Sequence, residues 1–251
     1  MQKMLGYVRR ACQEFDLIED GDKIAVGVSG GKDSLVLLCA LAKMRRFYEK
    51  KDEVYAVTID PRFGGKEGDY SAVGRLCAEI DVPYKIVKTD IGEIVFDIRK
   101  ESNPCSLCAK MRRGALCDAV NELGCNKLAL AHNNDDAIET FIMNLFNEGR
   151  IGCFAPVSYL SRMGVTVIRP LVFAPESAVI SCAKRNALEI VKSKCPADKT
   201  TKRQWTKEFL RDLEHNDRGI KERLFGAMRR AGIDRWGFKD NSGNPPRKGN
   251  D

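Results

Sequence analysis

The sequence predicts an α/β protein: a parallel sheet of about five strands with helices on both faces, and a basic helical C-terminal extension. Three observations carry this. Short apolar runs of β type, such as residues 24–28 and 54–59, alternate with helical patterns. The first run ends in the turn Ser29-Gly30-Gly31-Lys32-Asp33-Ser34, which opens a helix. Residues 184–251 carry 18 Lys and Arg against 10 Asp and Glu, whereas residues 1–183 carry 24 against 25.

In order, Met4, Leu5, Val8, Cys12 and Phe15 recur at helical spacing, so residues 1–17 read as a helix. Strand one covers 24–28, and the apolar side of residues 35–41 makes the next helix. Strand two covers 54–59 and closes at Asp60-Pro61; 62–69 is a loop. Val73, Leu76, Cys77 and Ile80 mark a helix, and 84–87 is strand three. Residues 91–100 form a short helix or an irregular lead. A helix over 106–123 stops near Gly124. Strand four, 127–131, runs into His132-Asn133-Asn134-Asp135-Asp136, and a helix follows over 137–147. Residues 148–164 read as a loop, 165–168 as strand five and 176–188 as a helix. Two basic helices lie near 201–214 and 217–231.

Hydrophobic content of 43% is ample for a core. No stretch reaches the roughly 18 apolar residues of a membrane span. The N-terminus shows no signal-peptide pattern, so a cytoplasmic location is expected. Ten cysteines in such a chain point to metal binding or catalysis for a few and burial for the rest. Cys39 and Cys77 fall in apolar helical patterns and are expected in the core. The basic C-terminal region calls for a polyanionic partner.

Strand, glycine turn and helix start make an anion site: the backbone approaches phosphate, the helix presents N–H groups, and Lys32 adds charge. This is not a Walker A loop, because Val26 and Asp33 stand where that motif needs Gly and Ser or Thr. The string SGGKDS instead resembles the PP-loop of ATP pyrophosphatases, which split ATP between the α and β phosphates. In parallel sheets ligands bind at the C-terminal strand ends. If strands one and four are neighbours, SGGKDS and HNNDD face one cleft.

Cys105 and Cys108 form a CxxC at a helix start, followed by Lys110, Arg112 and Arg113. Helix terminus and cations are expected to lower the thiol pKa. The pair alone fits a redox couple, half a zinc site or part of an iron–sulfur site. A zinc site would show a second CxxC or a His pair, and the only histidines are His132 and His215. Cys195 precedes Pro196 at the base of the basic region. Three thiolates suit a cubane cluster with one iron left open, with buried or redox thiols as the other reading.

SGGKDS, CSLCAKMRRG, AHNNDDAIETFIMN, VIRPL and CPADKTTKR, in that order, resemble the tRNA 2-thiocytidine synthetase family over roughly residues 20–215. The resemblance implies a Rossmann-like PP-loop fold, ATP and Mg²⁺, a [4Fe-4S] cluster on Cys105, Cys108 and Cys195, and a tRNA substrate. It implies an enzyme that adenylates the C2 oxygen of a pyrimidine, cytidine at position 32, and replaces it with sulfur. Ser29, Gly30, Gly31, Lys32, Asp33, Ser34, Asp60 and His132 are then expected around the nucleotide, with Asp33 on Mg²⁺. Lys32, Cys105, Cys108 and Asp135 are the catalytic candidates, capping the next helix being the other role for Asp135. His132 is a candidate acid or base, or a hydrogen-bonded structural residue. Arg112, Arg113, Lys202 and Arg203 are candidate RNA contacts.

The expected organisation is an N-terminal helix over 1–20, a PP-loop domain over 21–190, a basic helical region over 191–240 and a disordered tail over 241–251. A sulfur donor such as a cysteine desulfurase and a second copy in a homodimer are the expected partners. His132-Asn133 stands where the family often has two histidines, and that variant looks more like the thiouridine relatives. Thiolation of a tRNA uridine is therefore one alternative. A cluster-free adenylating enzyme of the lysidine synthetase type is another, and an RNA-binding or redox-sensing protein without turnover is a third.

Overall fold

The computed structural model describes residues 1–100, 104–192, 194–196 and 202–237, the side chain of Lys202 excepted. Six strands form one sheet in the order β3-β2-β1-β4-β6-β5. They are β1 (Asp22–Gly27), β2 (Asp52–Asp60), β3 (Tyr84–Lys88), β4 (Lys127–Ala129), β5 (Val157–Leu160) and β6 (Val165–Ile168). All adjacent pairs run parallel except β5 with β6. The expected sheet thus gains a sixth, antiparallel edge strand inside residues read as a loop. The β5–β6 hairpin turns at Gly164, whose φ of 67° lies in the left-handed region that glycine adopts at no steric cost.

Side chains alternate across the sheet with period two. Ile24, Val26 and Val28 face one core with Met4 and Val8 of α1 (Gln2–Phe15), Leu35 and Leu38 of α2 (Lys32–Met44), and Cys77 of α3 (Ser71–Glu79). Val179 and Cys182 of α6 (Glu176–Arg185) complete that side. Ala25, Val57, Ile59 and Leu128 face a second core with Cys117 and Val120 of α4 (Pro104–Glu122). A π-helical turn, Glu93–Arg99, adds Val95 to it. Cys39 and Cys77 are buried, as expected.

The chain passes from β1 to β2 and β3 on one side, then returns to place β4 on the other. The switch point therefore lies between β1 and β4, where a cleft opens beyond the C-terminal strand ends. SGGKDS and HNNDD flank it. α5 (Asn134–Glu148) carries the second motif, and α7 (Lys202–Asn216) packs on it through Ile138, Ile142 and Leu210. α8 (Ile220–Arg230) sends Met228 into the first core, and Trp236 beyond it is fully buried there. Among the described residues no helix is long and apolar enough to cross a membrane. The 241–251 tail lies outside the described residues.

Candidate active site

The turn after β1 is built for an anion. Gly30 has φ 81°, and Val191 donates its N–H to the Gly30 carbonyl at 3.0 Å. A Cβ at Gly30 would stand 2.6 Å from the Cβ of Val191, so only glycine fits. Ser34 Oγ accepts from the Ser29 N–H at 3.2 Å and donates to the Gly31 carbonyl at 2.9 Å, which closes the loop on itself. Among the described residues no side chain caps α2 at Gly31. Its first-turn N–H groups are left for a ligand.

Lys32 and Asp33 sit inside an ionic network. Lys32 Nζ lies 3.0 Å from Asp33 Oδ2 and 3.0 Å from Glu176 Oε1. Burial pulls the Lys32 pKa down, but the two carboxylates outweigh it and the net shift is upward. Asn133 Nδ2 donates to Asp33 Oδ1 at 3.0 Å, which joins SGGKDS to HNNDD directly. Asn133 and Asp136 form the capping box of α5. Asp135 is a strut rather than a cap: it accepts from the Glu176 N–H at 2.7 Å and from Lys221 Nζ at 2.8 Å.

The basic helices supply further partners. Arg203 reaches Asp136 at 3.0 Å and Glu139 at 3.6 Å, and Lys207 reaches Glu176 at 2.7 Å. Arg203 thus turns inward to the site acids. Lys202 has its side chain outside the described residues. Asp60 is 3% exposed and accepts from the N–H groups of Arg62 and Gly68, so its carboxylate shapes the loop after β2.

His132 lies three residues beyond β4, against the ring of Phe154, centroid to centroid 4.9 Å. Burial, then Arg169, Arg203 and Arg113, press its pKa down to about 3. These surroundings favour the neutral imidazole over the imidazolium. Its Nδ1 is buried without a hydrogen-bond partner among the described residues.

Cys105 and Cys108 lie in the first turn of α4, Cys105 exposed and Cys108 buried; Cys195 is half-buried. The expected lowering of the thiol pKa does not hold for Cys108. Burial pushes it up, Arg112 opposes this, and Cys195 and Cys105 add to the rise. Cys105 and Cys195 are thus both close enough to Cys108 to act on its thiol electrostatically. Among the described residues no three His, Cys, Asp or Glu side chains already stand in metal-holding geometry. The donor set nonetheless suits an iron–sulfur group: soft thiolate ligands, with the Arg112 guanidinium to offset their charge.

Two cavities meet at the loop. One of about 500 Å³ is lined by Ser29, Gly31, Asp60, Tyr70, Lys192 and Lys194, among others. One of about 380 Å³ is lined by Asp33, Ser34, Leu116, Leu130, Arg113 and His132, among others. Ser29, Gly31 and Arg112 line both. Sequence reasoning missed Glu176 and the Asn133 link to Asp33. An acid opening α6 straight after Pro175 was the signal for Glu176; the Asn133 link had none beyond its motif.

A phosphate-binding loop at the switch point of a parallel sheet, joined by Asn133 to a second acidic motif, defines a PP-loop nucleotide-binding protein. The PP-loop domain family matches residues 5–213. The chain belongs to the tRNA-cytidine(32) 2-sulfurtransferase family. It is 40% identical over 225 residues to that enzyme of Citrifermentans bemidjiense, covering 88% of this chain and 87% of the relative. It is 38% identical over 230 residues to that of Geobacter sulfurreducens, covering 90% and 89%. Among solved structures it resembles the U34-tRNA thiolase NcsA from Methanococcus maripaludis with its [4Fe-4S] cluster. The TM-score is 0.72 at 26% identity, over 92% of this chain and 78% of that one.

Proposed function

We propose that this chain is an ATP-dependent tRNA sulfurtransferase that exchanges the C2 oxygen of cytidine at position 32 for sulfur. One observation carries the reading: two cavities share Ser29, Gly31 and Arg112, and Arg112 also neighbours the Cys108 thiol. Phosphates, target base and sulfur then converge on one point. A pyrimidine C2 carbonyl is a poor electrophile, and transfer of AMP to its oxygen gives it a leaving group. The loop amides and Lys32 hold the phosphates, Lys32 exchanging its contacts with Asp33 and Glu176 for phosphate oxygens. Asp33 would hold Mg²⁺ through carboxylate oxygen.

Cys105, Cys108 and Cys195 would hold a [4Fe-4S] cluster, which when bound supplies the sulfur-transfer chemistry beside the activated carbon. Arg112 offsets the negative charge of thiolates and phosphate. The partners in this reading are tRNA, a sulfur donor such as a cysteine desulfurase, and a second copy of the chain, in the cytoplasm.

The test joins three assays: AMP and pyrophosphate release with and without tRNA, iron content after anaerobic purification, and mass analysis of tRNA nucleosides. Lys32→Ala should abolish AMP formation, and the loss of its ion pairs with Asp33 and Glu176 should cost about 0.5–3 kcal/mol of unfolding free energy without loss of the fold. Cys195→Ser should lose most of the iron and the 2-thiocytidine while keeping nucleotide binding. A colourless, iron-free preparation that still modifies tRNA would overturn the cluster assignment; 2-thiouridine as product would overturn the base.

A further inference from the structure

We propose that the 380 Å³ cavity takes the flipped-out target base, and that His132 reads its N3 edge. This rests on the functional reading above and names the place and the reader of the base. The volume falls in the range of about 300–1,000 Å³ found for small-ligand sites. The two cavities differ in kind. The larger one is lined by Lys66, Lys192 and Lys194 together with Asp60, Asp69 and Glu189, a polar set suited to a phosphorylated nucleotide. The smaller one has apolar walls of Ile59, Leu116 and Leu130, suited to a flat heteroaromatic ring. Arg112, Arg113 and Asp33 are its charged lining groups.

Gly27 keeps the space open. A Cβ there would come within 3.2 Å of Leu130 and 3.5 Å of Leu116, the two walls. His132 contributes its ring to the same cavity. Because Nδ1 is sealed off without a partner among the described residues, the edge left to the cavity carries Nε2. The ring proton is assigned to Nε2, the tautomer that offers the cavity a donor. An Nε2–H donor matches the N3 lone pair of cytosine and meets the N3–H of uracil donor to donor. Mismatched polar groups in a buried site discriminate more strongly than size does.

The experiment measures affinity of the protein for an anticodon stem–loop carrying C or U at the target position, a readout that needs no turnover. Nucleotide affinity is measured alongside without RNA. Wild type should prefer C by roughly 10–100-fold, the value of one well-placed hydrogen bond against a clash. His132→Ala should erase most of that preference and His132→Gln should restore part of it. Gly27→Ala should weaken both stem–loops without changing their ratio. Equal wild-type affinities, or a full C preference in His132→Ala, would overturn the proposal. So would loss of nucleotide affinity with base preference intact, which would give the cavity to ATP. Absence of thionucleoside with the C preference intact would instead defeat the functional reading alone.

Discussion

Glu139 is a carboxyl group that burial has left poised. It is 5% exposed on α5, with Asp136 beside it and Arg203 at 3.6 Å. Burial first, and Asp136 second, raise its pKa from 4.5 to about 7 against the pull of Arg203 and Lys207. The folded protein therefore binds more protons at this site than the unfolded chain between pH 4.5 and 7. Stability from this group is present below pH 4.5 and is lost as pH rises to 7, by an amount on the order of 3 kcal/mol. Glu139→Gln removes the titration. Urea unfolding should show the variant gaining on wild type as pH rises from about 5 to 8, and a difference that stays constant with pH would reject this. At Gly30 the constraint is steric. Gly30→Ala must hold φ near 81° and push Val191 aside, which costs roughly 1–3 kcal/mol and displaces the loop amides. Nucleotide affinity, measured by calorimetry, should fall more than tenfold in that variant.

The C-terminal helices behave differently from what their composition suggests. Their charges read as a basic surface, yet α7 and α8 place Lys207 on Glu176 and Lys221 on Asp135, and Arg229 pairs with Glu14 of α1. Trp236 donates its indole N–H to the Phe154 carbonyl at 2.7 Å and packs on the rings of Phe15, Phe154 and Phe225. Truncation after residue 215 would strip Lys221, Arg229 and Trp236 and expose the first core. The shortened chain should unfold at much lower urea, and Trp236→Ala alone should cost about 3–5 kcal/mol. A truncated chain with wild-type stability would contradict the packing. The parallel strands were legible because both faces are buried and their runs are apolar. SGGKDS and HNNDD were legible because phosphate binding dictates residue types at fixed spacing. Strand β5 was not: Val157 to Leu160 is short and half-buried, and only Gly164 between two β-type runs hinted at a hairpin. Trp236 was illegible because it follows α8 in a 3₁₀ turn, outside any periodic pattern. The inward turn of Arg203 depends on partners more than 60 residues away, which no local pattern encodes.

Across the whole molecule, the net charge of +7 sets how RNA is drawn in, and the pairing of cations decides where it docks. Arg203, Lys207 and Lys221 already serve carboxylates beside the loop. Lys192 and Lys194 are exposed and line the mouth of the larger cavity with Arg112, and Arg113 lines the smaller one. Phosphate contacts should therefore concentrate at the cleft mouth, on the segment that covers Gly30, rather than along α7. Each phosphate neutralised releases counterions, so log K for tRNA should fall linearly with log salt concentration. Replacing Lys192 and Lys194 together by Ala should weaken tRNA binding and lower the slope by roughly 1.4–1.8, since each phosphate left without its lysine removes about 0.7–0.9. Lys207→Ala should leave the slope unchanged, because its charge faces Glu176. Titrations of tRNA between about 50 and 200 mM salt separate these outcomes. A slope that drops for Lys207→Ala and stays fixed for the double variant would move the docking surface onto the C-terminal helices.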